Sequence, residues 1–186
     1  MSDETEDTGR NIKAKSFIGK VVRERDEKVK ALSLELPIPT WGKKLLWGFQ
    51  PVPRKALEDM TTGPDANKRD FETDITTLID NTNGFWLFDP SHAIEGTRLG
   101  PDPFTGADRS KYVRLEFENG QPIPCDDNLA EALDFKPTDS SPLAPSTQLV
   151  MHLFKENATA IGSFVGRLVM WTQNTDLDVT KAQLGE

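Results

Sequence analysis

Histidine and cysteine, the side chains most typical of zinc sites, are few in this chain of 186 residues, and its many Ser and Asp residues form no nucleophile elbow. His92 and His152 are its two histidines, and Cys125 is its one cysteine. A zinc site needs several Cys, His or carboxylate ligands at short spacing, a pattern that these isolated residues do not form. Asp126 follows Cys125, and a neighbouring carboxylate raises the pKa of a thiol. We therefore expect a structural cysteine, histidines without a catalytic role, and no metal ion.

The acidic residues suggest two further kinds of site, each with a simpler explanation. Glu116 and Glu118 lie two residues apart in a predicted strand, so they face the same side, as the paired carboxylates of a glycosidase would. Loop 102–108 is acidic enough for calcium, but it lacks the alternating ligands of an EF-hand. A solvated surface accounts for both features. An enzyme built on the long loop 89–110 is the competing hypothesis, but we expect no cofactor and no enzymatic activity.

Charge and composition narrow the possible partners. The chain has a net charge of −8 and a pI of about 4.9. Nucleic acids and acidic membranes attract basic patches, so we expect neither as a partner. The sequence contains no run of about 20 apolar residues that would span a membrane. Its first residues, MSDETEDTGR, lack the pattern of a signal peptide, and a cytoplasmic protein is expected.

The sequence predicts a charged N-terminal arm followed by one α+β domain. Residues 1–30 are expected to form a flexible acidic and charged arm, in which 12–30 is either a short helix or an extended segment. A single domain then covers 31–173. Apolar side chains alternate on both sides of a Thr-Trp-Gly-Lys turn at 40–43, which predicts a β-hairpin over 31–50.

The middle of the chain predicts two helices, an aromatic run and a second hairpin. Pro53 suits the first turn of a short helix to about 60, and Asp65 is the expected cap of a helix over 66–82. An aromatic run follows at 85–88, and then the long loop 89–110, which is expected to be mobile or functional. Asn119-Gly120 indicates a short second hairpin. Asn128 is the expected cap of a helix over 129–134, before a linker at 136–144.

The C-terminal part predicts a pair of amphipathic helices over 145–155 and 158–173, with Asn157 as the cap of the second. A polar, loose tail is expected at 174–186. Gly162 and Gly166 lie four residues apart, so they form a flat strip where another helix can approach, either the helix 145–155 or a partner. The aromatic run is either core or a binding patch. The candidate partner-binding residues are Phe85, Trp86, Phe88, Ile161, Gly162, Phe164, Val165, Gly166, Leu168 and Trp171.

Four segments together resemble the tail assembly chaperones of phages that infect actinobacteria. They are LELPIPTWGKKLLWGFQPVP, FETDITTLIDNTNGFW, PCDDNLAEALDF and LVMHLFKENATAIGSFVGRLVMWTQNTDLDV, the last closing on LGE. Their order covers about residues 30–186. Each segment is a hydrophobic pattern with a few fixed residues, and the long loop 89–110 fits the resemblance least.

The resemblance implies a non-enzymatic chaperone. Members of that family coat the long, helical tape measure protein during tail tube assembly in the host cytoplasm, and they are usually absent from the finished virion. Tail tube protein and self-association are further implied contacts. Many members also have a longer form made by programmed ribosomal frameshifting, and this chain would then be the short form. The alternative is a structural virion protein, such as a neck, tail-terminator or connector subunit.

Overall fold

A computed structural model describes residues 20, 32–62, 70–102 and 105–184 of the chain. Four antiparallel strands form one sheet in the order β1-β2-β3-β4, and the helices lie mostly in the C-terminal half, which confirms the α+β prediction. The strands are β1 (Leu34–Pro37), β2 (Leu45–Phe49), β3 (Thr82–Phe88) and β4 (Tyr112–Arg114). The helices are α1 (Arg54–Thr61), α2 (Phe71–Asp80), α3 (Asp127–Ala132), α4 (Pro145–Leu153) and α5 (Ala158–Leu184).

Both predicted hairpins are confirmed. β1 pairs with β2 around the turn at 40–43, where Gly42 has a φ of 59°, a conformation that glycine adopts without steric cost. The second hairpin turns at Asn119-Gly120, and the backbone N–H of Phe117 donates to the Gln121 carbonyl over 2.9 Å. The predictions for the arm at 1–30 lie outside the described residues, apart from Lys20.

The predicted start and cap of the central helix are wrong. Asp65 lies outside the described residues, and the cap of α2 is Asp70, whose backbone is extended and whose carboxylate accepts from the Thr73 N–H over 2.8 Å. The helix ends at Asp80 rather than 82, because β3 already begins at Thr82. Asp70 is therefore the N-cap, and the sequence does not distinguish it from Asp65 because both aspartates carry the same local signal.

Two further boundaries differ from the sequence expectations. Asp126, and not Asn128, caps α3, because its carboxylate accepts from the Asn128 N–H over 2.9 Å. α5 continues to Leu184, so its predicted end at 173 is wrong. No glycine or proline interrupts the chain from Arg167 to Leu184, and polar residues alone do not end a helix. The predicted Asn157 cap is confirmed by its side-chain bond to the Ala160 N–H over 3.0 Å.

The core lies between one face of the sheet, the front face, and the helices α2, α4 and α5. Trp47 is at its centre, with the Phe85 ring 5.1 Å away and the Phe164 ring of α5 6.2 Å away. The Trp47 indole N–H also donates to the Thr82 hydroxyl over 3.1 Å. Alternation of apolar residues along β1 and β2 places their large side chains on this face.

The opposite face of the sheet, the back face, carries a smaller apolar group. Register places Glu35, Gly48, Trp86 and Arg114 on this face. The Trp86 indole lies directly over Gly48, where a Cβ atom would be only 2.2 Å from its Cζ3 atom. Gly48 therefore has no room for a side chain, and the tryptophan uses that space.

The segment between β3 and β4 is a long loop, as its sequence predicts, and its described residues are attached to the sheet at two places. Residues 97–99 pair with the outer edge of β4, since the Arg114 N–H donates to the Thr97 carbonyl over 2.8 Å. Farther along, the Arg109 guanidinium contacts the Glu35 carboxylate of β1 at 2.6 Å. β1 and β4 are opposite edges of the sheet, so Arg109 and Glu35 join this segment to the back face.

Candidate partner-binding surface

The structure buries six of the ten predicted partner-binding residues, five of them in the front-face core and Trp86 on the back face. Their side chains are buried, and in this fold they offer no surface to another protein. These residues are Phe85, Trp86, Ile161, Phe164, Val165 and Leu168. An alternating or helical apolar pattern marks the face that is buried, and the same pattern arises whether a helix of the chain itself or a partner covers it.

The other four predicted residues are partly or fully accessible. Phe88 is 38% exposed and its ring lies 5.2 Å from that of Tyr112. Gly162 faces α2 and not the neighbouring helix α4, because a Cβ on Gly162 would lie 3.4 Å from the Asp74 Oδ2 atom. A Cβ on Gly166 would meet no atom within 4 Å. Trp171 is half-buried against the core.

Cys125 and Glu116, which were considered as catalytic side chains, lie in environments that serve the fold. Burial, with a smaller contribution from Asp126, raises the pKa of the Cys125 thiol to about 12, so the direction predicted from the sequence is confirmed. Burial opposes ionisation of Glu116, but hydrogen bonds from Thr97 and Arg114 lower its pKa overall. Its carboxylate lies 2.6 Å from the Arg114 Nε atom. Within the described ranges, no group of three His, Cys, Asp or Glu side chains has the geometry of a metal site.

Asp89 is the most strongly bonded carboxylate of the segment that covers the back face. It accepts from the Ile94 N–H over 3.0 Å, from the Ser91 hydroxyl over 2.8 Å and from the Arg98 guanidinium over 3.0 Å. These bonds, led by that from Ile94, hold its pKa well below its usual range. A carboxylate that stays ionised and accepts three bonds organises a loop and is a poor general base.

Three adjoining depressions form an accessible concavity that we call the rim groove. The first has a volume of about 260 Å³ beside α3, the second about 380 Å³ beside α4, and the third about 360 Å³ at the turn of the first hairpin. Phe135 lines the first two, while His152 and Glu156 line the last two. Shared walls make the three depressions one continuous surface.

The walls of the rim groove are formed by the half-buried side chains of Phe135, Met151 and Trp41 and by the exposed ring of His152. The rings of Phe135 and His152 stack with their centroids 4.4 Å apart and an interplanar angle of 23°. Met151 lines the middle depression, and Trp41 lines the third. A groove with rigid aromatic walls and a flexible methionine is well suited to an apolar helix face.

Two helix ends give the rim groove its shape, and both use residues in an unfavourable conformation. After α3, Asp134 has a φ of 53°; after α4, Lys155 and Glu156 have φ values of 50° and 59°. The N–H of the residue after Asp134 and that of Glu156 each reach back to a carbonyl five residues earlier, over 2.8 Å. Such helix ends usually carry glycine, because other residues adopt positive φ at a cost of about 1–2 kcal/mol.

The predicted linker at 136–144 forms the outer wall of the middle depression. Gln148 of α4 holds it there: its side-chain oxygen accepts from the Thr138 N–H over 2.8 Å, and its amide donates to the Leu143 carbonyl over 2.9 Å. The Thr40 hydroxyl donates to the Leu153 carbonyl and so joins the hairpin turn to α4. Sequence reasoning missed this surface, since its residues come from four separate segments and show no periodicity.

Comparison with family models, with curated proteins and with solved structures finds no match to this chain. Among the described residues, none of the helices is both long and apolar enough to cross a membrane.

Proposed function

We propose that this chain is a phage tail assembly chaperone that binds the helical tape measure protein in the host cytoplasm and keeps it soluble until the tail tube forms. The order of four segments along residues 30–186 resembles that family. The observation that supports the proposal most is the rim groove, because its aromatic and methionine walls suit an apolar stripe on a client helix. The mechanism needs no catalytic group, since masking of apolar surface is sufficient to prevent aggregation.

The rim groove suits a transient contact in which many copies of the chain bind one client. The apolar side chains of its walls, Phe135, Met151 and Trp41, are half-buried, so the folded chain does not expose a large apolar patch before it meets a client. Lys155 and Glu156 at one end and Lys136 and Asp134 at the other place charges of both signs around the apolar walls. Such a rim discourages self-association of many acidic copies and leaves the apolar centre for the client.

Co-expression with the tape measure protein encoded beside the gene tests the proposal. The test variant combines Trp41→Ser with His152→Glu, which removes one aromatic wall and places a charge in the stack with Phe135. Met170→Ser is the matched control, because Met170 is 64% exposed on α5 and lies outside the rim groove. Thermal melts of the purified variants establish that each is folded before binding is compared.

We expect the client to stay soluble and co-purify with the unaltered chain and with Met170→Ser, and to aggregate with the rim variant. If the client aggregates equally with all three chains, the chaperone proposal fails. If all three keep it soluble, the function stands but the rim groove is the wrong surface. Mass spectrometry of purified particles examines the alternative, because a structural virion protein would be present there in stoichiometric amount.

A further inference from the structure

A second concavity, of about 440 Å³, lies between α1 and α2 at the other side of the fold. We call it the α1–α2 groove. Val52, Ala56 and Met60 form its apolar part, and the threonines of α2 line its opposite wall. This groove has apolar surface on one side and carboxylates around it, so it differs from the rim groove in its charge.

The described lining residues of the α1–α2 groove carry negative charge. Asp70, Glu72 and Asp80 line it, and none of the described lining residues is basic. Glu72 and Asp80 are exposed at the two ends of α2, so their carboxylates are available to a bound cation. An occupant with an apolar stripe and flanking Lys or Arg side chains would match both the apolar part and the charge.

One segment of the chain has these properties. Residues 12–30 contain seven basic and three acidic side chains, a net charge of +4, whereas residues 31–186 contain 14 basic and 23 acidic side chains, a net charge of −9. Lys20, within this segment, is helical. Spacings of three and four residues would place one apolar stripe on a helix, made of Ala14, Phe17, Ile18, Val21 and Val22.

The fold brings the start of the domain next to the α1–α2 groove. Leu34 pairs with Phe49, so β1 begins at the end of the sheet where β2 leads into α1. Directly after β2, the Gln50 N–H donates to the Asn81 carbonyl over 2.9 Å, and Asn81 and Val52 both line the groove. Only 31–33 separate the basic segment from β1. A tether this short gives the segment a high effective concentration at the groove.

We propose that residues 12–30 dock in the α1–α2 groove of their own chain. The stripe that begins at Ala14 covers Ala56 and Met60 beside the buried Val52, and the basic side chains meet Asp70, Glu72 and Asp80. The contact lies within one chain and stands independently of the chaperone function, because it needs no client. It makes the arm a part of the folded protein and masks apolar surface of α1.

Charge reversal at the groove and at the arm tests the contact in the full chain. The groove variant is Glu72→Lys with Asp80→Lys, the arm variant is Lys20→Glu with Arg23→Glu, and a third chain carries all four changes. A lysine is unfavourable at the start of a helix and favourable at its end, so the two groove changes have opposing effects on α2 itself. Glu95→Lys with Glu118→Lys is the control, since both glutamates are exposed, lie outside the groove and give the same change in net charge.

Amide hydrogen exchange of residues 12–30, followed by mass spectrometry, is the readout. We expect the segment to be protected in the unaltered chain and in the control, and to exchange roughly three- to tenfold faster in the groove and arm variants, the effect of losing two or three exposed ion pairs. The four-change chain should recover protection, because the charges are again complementary.

Three results would overturn the proposal. The first is exchange of 12–30 at the rate of an unstructured peptide in the unaltered chain. The second is equal acceleration in the groove variant and the control, which would mean that net charge alone acts. The third is protection that disappears on dilution, which would assign the groove to the arm of a second copy rather than to that of the same chain.

Discussion

The two faces of the sheet are stabilised in different ways. The front face is covered by three helices and carries a continuous apolar core in which Trp47 contacts several other rings. The back face has one tryptophan over a glycine and is joined to the segment 89–110 by the Arg109–Glu35 ion pair. Front-face stability is therefore spread over many apolar contacts, whereas back-face order depends on single residues such as Gly48 and Arg109.

This difference also separates the parts of the protein that serve folding from those accessible to a partner. The front-face core includes half of the residues that the sequence pattern suggested for binding. The accessible rim groove lies at the edge of that core, where α3, α4 and the first hairpin turn meet. A substitution in the core lowers the free energy of unfolding, whereas a substitution in the rim groove changes the surface. Measurements of stability therefore distinguish the two kinds of variant.

The largest effect is expected from Trp47→Ala on the front face. The side chain is fully buried and makes ring contacts with Phe49, Phe85 and Phe164, so its removal should lower the free energy of unfolding by about 3–5 kcal/mol. Urea denaturation followed by circular dichroism measures the loss. Trp41→Ala is the control, because Trp41 is only half-buried and should cost much less. Similar losses in both variants would contradict the assignment of Trp47 to the centre of the core.

Arg109→Met should be the most damaging change on the back face. The Glu35 side chain is 1% exposed and the Arg109 side chain 14%, so removal of the arginine leaves a buried carboxylate without its cation. We expect a loss of about 3 kcal/mol in the free energy of unfolding. Adding Glu35→Leu to the same chain should restore much of that stability, because an apolar pair can replace a buried ion pair. If the double variant is as unstable as the single one, the pair is not the cause.

Gly48→Ala tests the close contact of the back face. A methyl group at this position would lie 2.2 Å from the Trp86 Cζ3 atom, and the packed indole has little freedom to move, so we expect a loss of about 1–3 kcal/mol. Trp86→Phe removes the outer ring atoms and should relieve the clash in a double variant. Gly100→Ala is the matched control, because its Cβ would meet no atom within 4 Å. Thermal melts of the four chains would contradict the contact if Gly48→Ala matched the control.

A smaller effect of opposite sign is expected from Gly166→Ala on the front-face helix α5. No atom lies within 4 Å of the added methyl group, and alanine favours a helix over glycine by about 0.5–1 kcal/mol, so the variant should be more stable. Chemical denaturation measures the gain. Gly162→Ala should also be tolerated, because its Cβ would make an ordinary 3.4 Å contact with Asp74. A destabilised Gly166→Ala chain would show that the glycine strip has a packing role.

Acid should affect the segment 89–110, which Arg109 joins to the back face, more than the front-face core. The pKa of Asp89 is lowered in the folded chain, so its bonds stabilise the fold at a pH above the ordinary aspartate pKa of about 3.9 and are lost as the pH falls toward the lower folded value. Asp89→Asn should therefore reduce stability at neutral pH and flatten its decline in acid. Melting temperatures at several pH values measure this, and an unchanged acid profile would contradict the role of Asp89.

The sequence predicted the elements of the front face better than the contacts of the back face. Alternation around 40–43 was sufficient for the first hairpin, and Asn157 marked the start of α5. The cap of α2 was misplaced because Asp65 and Asp70 carry the same local signal. The attachment of 89–110 was not predictable, since the Arg109–Glu35 pair joins residues 74 positions apart and leaves no periodic pattern.

The candidate surface was the least predictable part. Apolar periodicity selects buried residues, so it led to Phe85 and Phe164 instead of the accessible groove. Phe135 and Trp41 are isolated apolar residues in polar stretches, and only the folded chain brings them to one groove. Gln148 holds the segment 138–143 against α4 through hydrogen bonds that no local pattern indicates.

The most direct test is an amide hydrogen-exchange footprint of the full chain with and without the tape measure protein. The proposed mode of binding predicts new protection at 40–41 and 133–156, with β2 and β3 unchanged because they stay buried in both states. If the client instead altered exchange at 85–88 and 161–171 and left the rim groove unchanged, the core would have to open for binding, which would contradict the surface proposed here.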